Sequence, residues 1–234
     1  MRQTLAIVLA FLCLLKMGCA VEKLTMEQRE WLKLSSITFS HQEPHIFEVI
    51  TIANSSPPKM EKFSWGEVLE EALPGGAPDP LTPRELGEMV RTQTGLEDPV
   101  PRIQRALMEE FQKQLGQIKM QEMKELHPMS DLEGLREQAK TDMLFTMKTT
   151  RWMLRFYLTS MNAYYLDYRA SAQLIDLKKL NVIWSGSCAY QEDARKGAQR
   201  PWLREFLVDD GALMRTEINR AEEKCIKQLT EQLF

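Results

Sequence analysis

The feature that most constrains this chain is the run from Ser130 to about Asn181, which no proline and no cluster of turn residues interrupts. Ser130-Asp131-Leu132-Glu133 places a hydroxyl at a helix N-cap and a carboxylate three residues on, so each can satisfy a free amide of a first turn. Read as one helix at 1.5 Å per residue, roughly 50 residues reach about 75 Å, well beyond the diameter of a compact domain. Met147, Thr150, Leu154, Tyr157, Met161, Tyr164, Tyr168 and Ile175 form a near-heptad seam along it, widened by Trp152 and Phe156. A face that wide needs two neighbours. The reading is therefore a mainly α protein, an elongated helical bundle made of a long hairpin and a third helix.

The neighbouring segments supply those helices. Thr82-Pro83-Arg84-Glu85 is a second capping arrangement with proline at the first helical position, and it predicts a helix from Pro83 to about Gly95. Ile103, Leu107, Phe111, Leu115 and Ile118 give one apolar stripe, predicting a helix from about Pro99 to Leu126. After a turn-like Ile183 to Cys188, Pro201 starts a last helix through Trp202, Phe206, Leu213, Ile218, Ala221, Cys225 and Leu229, with a kink at Asp209-Asp210-Gly211. In this reading the bundle occupies 82–234 and Pro74 to Leu81 is a Pro/Gly linker. Residues 21–73 form a small N-terminal segment. There the Ile, Thr, Phe and Val of Ile37 to Ile52, with Ile46, Glu48, Ile50 and Ile52 alternating with Phe47, Val49 and Thr51, predict an extended piece or small hairpin between flanking helices.

Residues 1 to 20 carry a basic start, an apolar stretch from Leu5 to Leu15, and small residues at Gly18 and Ala20. This is the order of a signal peptide cleaved after Ala20, giving a periplasmic or secreted product. The apolar run of about 11 residues is too short to span a bilayer, so no permanent membrane span is expected. A lipid on Cys19 is the alternative, and Lys16 and Met17 argue against it. Of 30 basic and 33 acidic residues, only Arg2 and Lys16 leave with the leader, so the net charge goes from −3 to −5. A mildly acidic chain has no global attraction for nucleic acid. Cys188 and Cys225 remain, and an even pair in an oxidising compartment predicts a disulfide. Along a straight last helix, Cys225 would lie about 36 Å from its start. The bridge then needs the preceding loop to run back along the bundle, or the helix to break near Gly211.

No motif carries chemistry. His41-Gln42-Glu43-Pro44-His45 has metal-binding residue types, but Pro44 spoils the one-turn spacing a helical zinc site needs, and a solvated turn is the simpler reading. Acidic groups such as Glu109 and Glu110 sit on polar helix sides. Arg195, Lys196, Arg200 and Arg204 around Trp202 form a basic cluster that reads as a soluble loop and helix start. Asn54-Ser55-Ser56 fits an N-glycosylation acceptor. No metal, cofactor or catalytic residue is assigned.

Trp152, Phe156, Tyr157, Tyr164, Tyr168 and Trp202 are the candidate interface, through which helix faces would meet other proteins. In outline such a bundle is similar to the helical minor pilus subunits of bacterial conjugation and type IV secretion, without a shared motif. The function expected is a non-enzymatic interaction protein of a bacterial envelope assembly or a secretion or conjugation apparatus. The alternatives are a secreted ligand or effector acting on a receptor, and an enzyme whose site the sequence hides.

Overall fold

The computed structural model describes residues 22–42, 45–51, 82–123, 132–157, 160–191 and 201–234. The leader, Cys19, Asn54, the 74–81 linker, Arg195, Lys196 and Arg200 lie outside them. The elements in chain order are α1 (Met26–Lys33), β1 (Ser36–His41), β2 (Glu48–Ile50), α2 (Pro83–Thr94), α3 (Val100–Leu115), β3 (Lys119–Met123), α4 (Leu132–Ala139), β4 (Met143–Tyr157), β5 (Ser160–Asp176), β6 (Asn181–Gln191), α5 (Leu203–Leu207) and α6 (Ala212–Leu233).

The elongated bundle is wrong. Six strands form one mixed sheet in the order β3-β1-β4-β5-β6, with β2 also on β4. The run read as one long helix is in fact the short helix α4 and the strands β4 and β5, and the turn-like segment after it is β6, which completes a β4–β5–β6 meander. Its side chains alternate with period two: Tyr164, Leu166, Tyr168, Ala170, Ala172 and Leu174 face the core, while Arg169 between them is exposed. That is the pattern of a strand with one apolar face. The supposed seam divides between the two sides. Met147, Leu154, Tyr164 and Tyr168 join the main core, whereas Ile175 packs with Leu135, Ala139, Leu144 and Leu177 beneath α4.

The β5–β6 turn contains neither glycine nor proline. Asp176 Oδ1 accepts from the amides of Lys178 and Lys179 at 2.9 and 3.0 Å, and Leu180 takes the left-handed conformation at φ 54°. A carboxylate that satisfies the turn's own amides replaces the usual turn residues.

The segment read as extended supplies β1 and β2. They do not form a hairpin with each other. Both run parallel to β4, β1 beside Met143 to Met147 and β2 beside Met153 to Arg155. The capping box at Thr82 and Glu85 is present, and α2 ends at Gly95 in the left-handed region. The helix predicted to reach Leu126 instead stops at Leu115, where Gly116 adopts φ 84°, and the chain continues into β3. The final helix is broken at the expected place: α5 gives way to a 3-10 turn at Asp209–Gly211 before α6.

Helices α3 and α6 cover the inner face. Phe39, Phe111 and Phe145 meet there with ring centroids 5.1 to 5.4 Å apart, and Phe234 reaches Phe111 from the end of α6. Helix α2 lies against β2 so closely that Gly87 allows no side chain there: a Cβ would sit 1.9 Å from the Phe47 carbonyl oxygen.

The Cys188–Cys225 disulfide is present, with Cα atoms 5.1 Å apart. The geometric difficulty disappears because Cys188 lies on β6, which runs antiparallel under α6, and not in a loop at a bundle tip. Gln232 and Gln228 bind the backbone of Ser187 and Ala189 on that strand's free edge, each accepting from an amide and donating to the carbonyl. A carboxamide presents the same donor and acceptor as a peptide, so two side chains of α6 stand in for a further strand.

Candidate binding face

On the outer face of the meander, alternate residues of β4 and β5 bring charge together. The register sets Arg151 opposite Arg169, Met153 opposite Asp167, and Arg155 opposite Tyr165. Like charges directly opposite on one face repel. Asp167 offsets this from the centre. Its carboxylate lies 3.2 Å from Arg151, 3.6 Å from Arg155 and 3.4 Å from Arg169. The Asp167 side chain is 3% exposed, against 37, 41 and 47% for the three arginines. One buried carboxylate thus gathers three guanidinium groups whose outer edges stay in water, and the cluster keeps two positive charges in excess. Lys148 stands exposed on the same strand, and Glu48 of β2, beside Met153, sets one negative charge against it, which leaves the excess of two unchanged. Tyr157 and Tyr165 flank the cluster with ring centroids 4.7 Å apart. Among the described residues, α4 is the helix that packs on this outer side, at the far end of the meander.

The groove next to it, about 630 Å³, is lined by Gln42, His45, Ile46, Glu48, Lys148, Thr149 and Thr150. It opens where β1 has left β4 and β2 has not yet joined. Asp98 holds this gap together: Oδ1 accepts from the Val100 amide at 2.9 Å and from Thr149 Oγ1 at 2.7 Å, and Oδ2 accepts from the His45 amide at 3.2 Å. Tyr168 closes the network 3.3 Å from Thr149 Oγ1, and burial, reinforced by the nearby Asp98, pushes its phenol far above the ordinary range.

Two further acids behave oppositely. Asp142 bonds Lys178 Nζ at 2.6 Å and the Ser36 amide at 2.9 Å, which together hold its carboxyl down at about 2. Glu222 is paired with Arg102 at 2.6 Å, yet burial between α3 and α6 outweighs that cation and lifts it to about 7.

The residues singled out from the sequence are scattered. Trp152, Tyr164 and Tyr168 are among the largest fully buried side chains and offer no surface, and Phe156 packs partly buried against the same core. Tyr157 lies on the outer side. Trp202 is 52% exposed, with the Arg204 guanidinium 5.4 Å from its ring centre. His45 lines the groove and turns Nδ1 to the Ile46 carbonyl at 2.9 Å. Among the described residues no group of three or more His, Cys, Asp or Glu side chains could hold a metal ion. The arginine cluster itself went unnoticed in the sequence. Its signal was Arg151, Met153 and Arg155 alternating with Trp152 and Leu154, a pattern that a helical reading conceals.

No family model matches this chain, and no curated protein matches it. Among solved structures, lipoprotein GNA1162 from Neisseria meningitidis aligns at 15% identity over 79% of this chain and 96% of its own, with a TM-score of 0.27. The PelC dodecamer from Paraburkholderia phytofirmans aligns at 6% identity over 85% and 88%, TM-score 0.31. A neuraminyllactose-binding hemagglutinin homolog from Helicobacter pylori aligns at 10% identity over 90% and 89%, TM-score 0.35. Likeness at this level carries no argument about what the chain does.

Proposed function

We propose that this chain is an exported protein of the bacterial envelope or cell exterior that acts by binding another molecule, with the outer face of β4, β5 and β6 as its contact surface. The observation that carries the reading is the arginine cluster. A structural ion pair needs one cation, whereas here three share one buried carboxylate and keep charge directed outward. Arginine in this setting is typical of protein contact surfaces, because its planar fork loses little entropy per hydrogen bond formed. The Cys188–Cys225 disulfide supports the compartment, since such bonds persist where thiols are not kept reduced. It agrees with the leader expected at residues 1 to 20. The likeness to minor pilus subunits rested on the bundle and is withdrawn with it, as is docking through helix faces.

The test is photocrosslinking in cells that export the protein. A photoreactive residue replaces Thr150, exposed beside Arg151, or Glu109, exposed on α3, as the control. Discrete higher-mass adducts from position 150 and none from position 109 are the expected result. Equal adducts from both, or none from position 150, would remove the face from the function.

A further inference from the structure

Resting on that reading, we propose that the molecule held on this face is an acidic protein segment whose clustered carboxylates bridge Arg151, Arg155 and Arg169. The three guanidinium groups all lie within 3.6 Å of one carboxyl group, so their heads are close together and not spread along the strands. A partner must therefore present its negative groups close together as well. Carboxylates three and four residues apart on a helix do so, with about 5 to 6 Å between their Cβ atoms.

The binding chemistry is already present inside the protein. Asp167 is an internal carboxylate that accepts from Arg151 Nη1 at 3.2 Å, while its Oδ1, 3.4 Å from Arg169 Nε, accepts no hydrogen bond among the described residues. The guanidinium groups are thus set around carboxylate geometry and less than fully engaged by it. Each guanidinium carries five donors in a fixed fork that matches a carboxylate two at a time. Further carboxylates brought to the solvent side would find donors already oriented. The local excess of positive charge stands out on a chain whose net charge is −3, so attraction of an acidic partner is focused on this face.

Other anions fit less well. A membrane surface would call for apolar side chains to insert beside the arginines. The exposed large apolar residues among the described ones are Met26, Leu34, Ile46, Val182, Trp202 and Val208; of these only Val182 is on the meander, and it sits opposite Ile175 at the α4 end, away from the arginines. An anionic polysaccharide would use an open aromatic platform, but Tyr165 is 8% exposed and its ring packs tilted at 46° against Tyr157. A single small anion is best held in an enclosed pocket. The arginines lie on an open sheet face.

The test measures fluorescence anisotropy of a labelled helical peptide carrying glutamates at i, i+3 and i+4, titrated with the oxidised full-length secreted protein. The same peptide with glutamines, inorganic phosphate, and phosphatidylglycerol vesicles serve as comparison ligands. Saturable binding of the glutamate peptide alone is expected, weakened about tenfold or more when salt rises from about 0.05 to about 0.3 M. Arg151→Gln with Arg169→Gln should reduce affinity at least about tenfold. Arg155→Gln, which removes the longest of the three internal pairs, should fold normally and still weaken binding about threefold or more. The proposal is overturned if the glutamate peptide does not bind, if Arg155→Gln binds it as well as the wild type, or if phosphate or vesicles bind more tightly than the peptide. Failure here with the position-150 adducts intact removes the acidic partner and leaves the binding reading standing. Loss of those adducts removes both.

Discussion

Replacing Gly87 by alanine tests the packing of α2 on β2. On an exposed helix surface this change would stabilise by about 1 kcal/mol, because alanine loses less backbone freedom. Here the new methyl would meet the Phe47 carbonyl oxygen at 1.9 Å, the Phe47 carbonyl carbon at 2.6 Å and Glu48 Cα at 2.9 Å. The first contact is more than 1 Å short of the 3.0 Å that real Cβ atoms respect, and all three neighbours are backbone that cannot rotate away. The helix must therefore retreat, carrying the buried Leu86 and Val90 with it. A gap of up to 1 Å already forfeits a quarter to a half of each dispersion contact along that face. With overpacking costs of about 1 to 3 kcal/mol or more, a net loss of about 2 kcal/mol is expected after the propensity gain. With a urea m-value of about 3 kcal/mol/M, the midpoint should fall by roughly 0.7 M. Thr92→Ala, on the exposed side of the same helix, should leave it unchanged or slightly raised. An unchanged or higher midpoint for Gly87→Ala would show that α2 does not lie on the Phe47 carbonyl.

Four further outcomes follow from the same geometry. Glu222 has a folded value of about 7 against an ordinary 4.5, so its protonated form favours the folded state below about pH 4.5 and this contribution is lost as pH rises through 7. Discounted for partial solvation, Glu222→Gln should therefore gain on the wild type by about 1 to 2 kcal/mol between pH 4.5 and 8 in chemical denaturation. Asp142 has the opposite sign: its contribution is present above pH 3.8 and lost as pH falls through about 2. Discounted for the exposure of Lys178, Asp142→Asn should cost about 1 kcal/mol at pH 7 and only a small fraction of that at pH 2. Leu154→Ala removes a fully buried side chain from the main core and should cost about 2 to 5 kcal/mol by melting or urea titration. Intact mass of the exported protein should rise by two hydrogens on reduction, and equal masses before and after would contradict the Cys188–Cys225 bridge.

Local signals in the sequence were legible wherever the chemistry was local. The hydroxyl and carboxylate at Thr82 and Glu85, the left-handed stop at Gly95 and the break before Gly211 are each set by residues a few positions apart. The cysteine pairing was also legible, from count and compartment, although its place in the fold was not. The meander was hidden because its residues are helix formers by intrinsic preference. Met, Leu, Ala and Arg supply 14 of the 32 residues of β4 and β5, and valine is absent from both. What makes them strands is long-range: the pairing of β4 with β1, β2 and β5, and the burial of every second side chain under α3 and α6. Tertiary context of this kind overrides weak local preference. The arginine cluster was lost with the meander, since Arg151 and Arg169 become neighbours only once the strands are in register.

The charged face exists only if Met143–Gln191 is a meander, so backbone NMR of this segment is the most direct test. Extended Cα and Cβ chemical shifts over 143–157 and 160–176 are expected, with cross-strand NOEs joining Trp152 to Tyr168 and Ala170 to Cys188, which the register sets opposite each other. Helical shifts through 143–176, with sequential amide NOEs and no cross-strand contacts, would contradict the sheet and dissolve the binding face with it.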